Sequence, residues 1–283
     1  MMPGIVLAIG FDPSLMTVRD LVLQSAGYAV VEASSLKEAV DHFQNSIALD
    51  PNYDVARLDL AAAYSSQVVP NLDSPENIKV ANSALEQFNI VLSKNPHDVV
   101  ALRQIASIHR SIKMFDQARA DELKVIAEVP NDDQAYYTIG VIDWTKSYKN
   151  ATTILGAAGM TDDGNGNPKK SKEVCAKLVE ANADLVKSAM ENFNKAISIN
   201  PTYDDAMNYL NLTYRRKADL ECGDDNARKA EFSRGLRVMR GKRNNSLAWD
   251  RNNRALNRHQ GGNEPIPAGI KGVLIPMHQA MKE

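Results

Sequence analysis

Apolar and small residues recur along this chain at helical spacing, and prolines interrupt them at fixed offsets. Pro96 and Pro130 stand 34 residues apart, each with an alanine 12 residues before it (Ala84, Ala118) and a valine 5 before it (Val91, Val125). Pro51 and Pro201 close the same phrase, with Ala39 and Ala189 at that offset and Phe43 and Phe193 four residues further on. A second apolar set follows each proline: Ala56, Leu60, Ala61 and Tyr64; Ala101, Ile105 and Ala106; Ala135, Tyr136, Ile139 and Gly140; Ala206, Met207, Leu210 and Tyr214. This periodicity predicts pairs of amphipathic helices. Each proline stops the helix before it, because it lacks an N–H and disfavours helix in the preceding residue. An aspartate shortly afterwards (Asp54, Asp98, Asp132, Asp204) is expected to start the next helix and cap its free N–H groups.

With the proline placed at position 32 of a 34-residue unit, small residues fall at positions 8 and 20 and an aromatic at 24. That pattern resembles the tetratricopeptide repeat (TPR) family over residues 36–240. The resemblance implies a mostly α fold, a solenoid of four to five antiparallel helical hairpins. Such repeats build binding surfaces rather than reaction centres. In this family ligands lie on the concave face, on positions 2, 5, 9 and 12 of the first helix of each unit. Carried over, those positions give Leu58 and Ala62, then Arg103, Ser107 and Arg110, then Tyr137, Val141 and Trp144, then Asn208, Leu212 and Arg215. Arginine offers a planar fork for carboxylates, and Tyr or Trp offers apolar area at low entropy cost. The resemblance therefore implies a protein or peptide partner with acidic and apolar residues. The paired lysine and asparagine of the carboxylate-clamp subgroup are not reproduced.

The units are not uniform. About 11 extra residues separate Tyr64 from Ala84, including Pro70 and a helix start at Ser74-Pro75-Glu76. About 37 extra separate Trp144 from Ala189, a loop insertion placed at about 145–170. Its middle, Gly156 to Lys170, is rich in Gly, Asp and Asn and reads as a mobile loop. Ser171 to Asn200 reads as a long helix with Val174, Leu178, Leu185, Ala189 and Phe193 near one stripe. A final pair is expected over Asp204 to Leu220 and about Asp225 to Arg240.

Residues 1–35 differ. Ile5 to Ile9 is a buried-strand pattern, Asp12-Pro13-Ser14 opens a helix to about Ala26, and Tyr28 to Ala33 alternates as a second strand. Ser35 then starts a helix, Leu36 to Leu49, whose proline and alanine offsets also fit the second helix of a repeat. This β-α-β-α order resembles the start of a response-regulator receiver domain, covering about its first third. Receivers carry adjacent acidic residues after the first strand; Gly10 and Phe11 stand there, and only Asp12 is acidic. No phosphoacceptor aspartate is identified, and no phosphorelay activity is expected.

Composition narrows the chemistry. Net charge is −2, so no global field selects a partner. No run of about 18 apolar residues predicts a membrane span. The two cysteines, Cys175 and Cys222, have no close partner residues, which excludes a disulfide scaffold and fits a reducing compartment. With no export signal, the expected setting is a bacterial cytoplasm. The five histidines lack ligand spacing, and Asp163 to Val174 departs from a calcium loop at its sixth and twelfth positions, Pro168 and Val174. Neither a metal nor another cofactor is expected, and no catalytic residue is identified. The C-terminal run of Arg228, Lys229, Arg234, Arg237, Arg240, Lys242 and Arg243 opens a basic tail, 241–283, expected to be weakly ordered. The leading expectation is a non-catalytic interaction scaffold or assembly factor. A signalling adaptor docking through the receiver-like leader ranks second, and RNA binding through the tail third. Oligomeric state is left open.

Overall fold

The computed structural model describes residues 5–9, 29–33 and 35–239. Strands β1 (Ile5–Ile9) and β2 (Ala29–Ala33) pair in parallel, from Ile5 opposite Ala29 to Ile9 opposite Ala33. The helix expected from Asp12, and the tail expected after residue 240, lie outside the described residues. Eight helices follow: α1 (Leu36–Leu49), α2 (Asp54–Ser65), α3 (Pro75–Lys94), α4 (Val99–Ser111), α5 (Phe115–Glu128), α6 (Asp133–Ala157), α7 (Lys172–Ile199) and α8 (Asp204–Ala218). A further helix, α9, runs over the described residues 225–239.

The helix starts are set by local chemistry. Ser35, Ser74 and Ser171 each accept a backbone N–H three residues on, and Pro75 occupies the first helical position of α3. The four aspartates expected as caps divide into two kinds. Asp98 and Asp132 cap α4 and α6 by accepting from the N–H of Ala101 and Ala135. Asp54 and Asp204 sit one residue later, inside the first turn, after Tyr53 and Tyr203, which make no side-chain cap. Their stabilisation comes from the helix dipole, at about 0.3–1 kcal/mol.

The described residues fall into two compact units, dividing after Thr138. In the first, α1 packs on α2, α2 on α3, α3 on α4 and α4 on α5, and α2 also meets α4. This is a stack of antiparallel helical hairpins. Small residues sit where the helices approach: Ala61, Ala84, Ala106 and Ala118 have no exposed surface. Phe88 and Val91 fill the space between them together with Ile105 and Ile108. The extra segment between α2 and α3 is fastened by one buried side chain. Asn77 Oδ1 accepts from Val69 N (2.7 Å), and Nδ2 donates to the carbonyls of Val69 (3.0 Å) and Leu72 (2.6 Å).

In the second unit α6 and α7 form an antiparallel hairpin whose contacts run in order from its closed end. Leu155 packs with Leu178. Asn150 Nδ2 donates to Asn182 Oδ1 (3.1 Å), Asn182 Nδ2 to Ser147 O (3.0 Å), and Ser188 Oγ to Asp143 Oδ2 (2.6 Å). Gly140 lies against the Phe193 ring. The loop insertion expected from about residue 145 therefore begins later: residues 145–157 continue α6 as helix, and the non-helical part is 158–171. Ala151 and Leu155 keep an apolar stripe going through that stretch, so helix wins until the glycines.

Candidate functional site

In the first unit, α2 and α4 enclose a cleft of about 290 Å³ lined by Ala62, Ser65, Ser66, Gln104, Ser107 and Ile108, among others. Ala62 and Ser107 occupy the same position of successive units, one of the four carried over from the family. Ser65 and Ser66 donate their hydroxyl protons to Ala61 O (2.8 Å) and Ala63 O (2.9 Å), so their remaining capacity is as acceptors. Arg103 and Arg110 follow Ser107's spacing on α4 and are exposed. Leu58 and Tyr137 are half-buried.

Beside this cleft lies a polar cluster missed by the sequence pattern. Arg103 Nη2 lies 2.5 Å from Asp132 Oδ2, so its guanidinium is held by the residue that caps α6. Glu122 stands at the unit position that carries Phe43, Phe88 and Phe193 in the other three units, and it is buried. Burial, reinforced by the Asp132 carboxylate, pushes its carboxyl up to about 7, against the pull of Arg110, Arg103 and a hydrogen bond with Thr138. Aligning that one position across the four prolines is the signal that identifies it.

Two of the expected groove residues of the second unit, Trp144 and Arg215, make contacts within it. Trp144 stacks on Tyr148 (centroids 5.4 Å apart) and meets Tyr209 edge-on (5.3 Å); Tyr209 in turn stacks on Phe193 (5.7 Å). Val141, Asn208 and Leu212 are half-buried. Arg215 Nη1 points to Gly164 O (3.4 Å), which engages it with the 158–171 segment.

That segment, read from sequence as mobile, is tied down. Asn167 is buried and donates Nδ2–H to Thr161 O (2.7 Å); Asp163 Oδ1 accepts from the N–H of Asn165 (2.7 Å) and Asn167 (3.0 Å). Arg216, buried, meets Asp162 (2.8 Å) and Asp219 (3.0 Å), and Arg228 donates to Asn165 O (2.6 Å). Burial raises Asp162, but hydrogen bonds from Arg216 and the Gly164 N–H outweigh it and lower its pKa. Burial drives Asp219 up to about 6 despite Arg216. The arginines that fasten this segment lie some 50 residues away in sequence, so composition alone misreads it.

The cysteines also depart from expectation. Cys175 and Cys222 form a disulfide, with Cα atoms 5.7 Å apart. Spacing could not disclose it, since 47 residues separate them and α7 and α8 fold back to bring them together. The free-thiol argument for a reducing compartment therefore falls. Among the described residues, no helix is long and apolar enough to cross a membrane, and no group of three or more His, Cys, Asp or Glu is placed to hold a metal. Of the basic C-terminal run, the described Arg228 and Lys229 pair with Asp225, and Arg234 pairs with Glu231.

No family model and no curated protein matches the chain. Among solved structures it is similar to MamA, at 19% identity over 74% of this chain and 91% of that one, with a TM-score of 0.44. It is also similar to a MamA fragment from Desulfovibrio magneticus RS-1, at 15% identity over 82% and 99%, TM-score 0.45. A monomeric mutant of IFIT1 with Gppp-AAAA aligns at 14% identity over 80% and 60%, TM-score 0.34. These likenesses are distant, and the helical-hairpin architecture rests on the packing described above.

Proposed function

We propose that this chain is a non-catalytic interaction scaffold or assembly factor that holds a peptide segment against the first helices of its hairpins. The observation that carries this reading is the cleft between α2 and α4, lined by Ala62, Ser65 and Ser107. Its serine oxygens favour a ligand that donates hydrogen bonds, such as an extended peptide backbone. Arg103 and Arg110 on the same helix favour acidic side chains in that peptide. The reading places Arg103, Ser107, Arg110 and Tyr137 in the first unit's part of the surface. Val141, Trp144, Asn208 and Arg215 are the corresponding candidates of the second unit, taken by itself, where Trp144 and Arg215 also have structural duties.

The test uses the full chain as bait, quantifying co-purifying proteins by mass spectrometry. Ser107→Trp fills the cleft, and Arg110→Glu reverses an exposed charge without touching the Arg103–Asp132 pair. Both variants should keep the wild-type circular dichroism and lose the same partners. Retention of every partner by both variants is the result that rejects the reading. A second reading is an adaptor docking through its N-terminal segment, in which β1 and β2 pair in parallel. Loss of partners on deleting residues 1–35, with none lost on blocking the cleft, favours it.

A further inference from the structure

We infer that the Cys175–Cys222 disulfide is a redox-sensitive latch on the second unit, opened by an external dithiol and governing the order of residues 158–171 and 219–224. Its two sulfurs stand in unlike places. Cys175 is 2% exposed, in the opening turns of α7, whereas Cys222 is exposed in the short turn between α8 and α9. A cleft of about 130 Å³ reaches both cysteines, and Lys170, Lys172 and Arg228 stand at its wall with Glu221, Asp224 and Asp225. Thiol–disulfide exchange needs an approaching thiolate, an accessible sulfur and a stabilised leaving group. Cys222 supplies the exposed sulfur at a cleft wide enough to admit a small dithiol, and Cys175 Sγ, the leaving sulfur, lies in the first turn of α7, where the helix dipole favours negative charge.

The exchange balances as follows. One thiolate of the dithiol forms a bond to Cys222 Sγ, the Cys175–Cys222 bond breaks, and the electron pair leaves on Cys175 Sγ. The second thiolate of the dithiol then attacks its partner sulfur and releases Cys222 as a thiolate. Both cysteine thiolates are protonated from solvent, and the dithiol ends as a disulfide, having supplied two electrons.

The consequence follows from what else holds the turn. Leu220 packs on the Ala151, Leu155 and Leu178 cluster, and Asp224 caps α9 through Ala227 N. Between those two points the disulfide ties the turn to α7. The same turn flanks Asp219, the partner of Arg216, and Arg216 with Arg228 fastens the 158–171 segment. Reduction thus removes the covalent tie nearest to the residues that order that segment.

The test uses the full chain purified without reductant. Alkylation under denaturing conditions should find no free thiol before treatment and two after native incubation with dithiothreitol. Amide hydrogen exchange at 158–171 and 219–224 should quicken at least tenfold in the reduced protein and equally in Cys222→Ser, whose exposed site spares the core. Exchange in α2 to α5 should not change. Two free thiols at the outset, a disulfide that resists dithiothreitol in the native protein, or unchanged exchange after full reduction each overturns the inference.

Discussion

Gly140→Ala sets two effects of known size against each other. Gly140 lies inside α6, where alanine favours helix over glycine by about 1 kcal/mol. By propensity alone the substitution stabilises. A Cβ built at this position, however, falls 2.6 Å from Phe193 Cε1 and 2.8 Å from Cδ1 and Cζ. Ordinary carbon contacts are about 3.5–4.0 Å, so the ring must retreat by about 1 Å. Phe193 has no exposed surface and stacks on Tyr209, so retreat displaces a packed neighbour. Overpacking of this kind costs about 1–3 kcal/mol. The net expectation is a loss of about 1–2 kcal/mol, read as a lower urea midpoint at constant slope by circular dichroism. In a Phe193→Leu background the ring is gone, and the same glycine substitution should become neutral or stabilising. A Gly140→Ala protein at least as stable as the parent, with Phe193 in place, would show that the hairpin does not depend on this close approach.

Three other outcomes follow from the same packing. Asn77→Ala removes three hydrogen bonds to the backbone around residues 69–72 and should cost about 3 kcal/mol at roughly 1 kcal/mol each; fast amide exchange confined to 66–74 is the local readout, and wild-type protection there contradicts the assignment. Glu122 is raised from 4.5 to about 7, so folding favours its protonated form: stability is greatest below 4.5 and falls as pH rises to about 7. At ~1.4 kcal/mol per pH unit that loss is bounded near 3 kcal/mol, and Glu122→Gln should remove it from urea titrations between pH 4.5 and 8; an unchanged slope would exonerate the carboxyl. Lys113 holds φ 62° in the turn between α4 and α5, so Lys113→Gly should gain about 0.5–1 kcal/mol, measurable as a raised thermal midpoint.

The sequence carried the hairpins because their physics is local. Serine caps, proline stops and the alanine at each close approach act within a few residues, and the observed helix ends follow them. Of the residues lining the first-unit cleft, the repeat positions named only Ala62 and Ser107; Ser65, Ser66, Gln104 and Ile108 line it through the packing of α2 against α4. What escaped depends on distant parts of the chain. Arg216 reaching Asp162, and Cys175 reaching Cys222, are set by the folding of α7 and α8 rather than by any motif. The extension of α6 through residue 157 was obscured because residues 145–153 are mostly polar, and only Ala151 and Leu155 mark the buried stripe. Trp144 presents the opposite case: its position suits a ligand surface, while its neighbours Tyr148 and Tyr209 engage its ring.

Glu122 gives the repeat array an internal weak point. In such arrays every hairpin is stabilised by its own core and by coupling to its neighbours, and a single poor junction limits how far order propagates. Where Phe88 supplies a buried ring, the next unit supplies a carboxyl group that folding must keep protonated or neutralise. Above neutral pH the ionised carboxyl of Glu122 weakens the packing of α5, while Phe88 keeps the junction at α3 independent of pH.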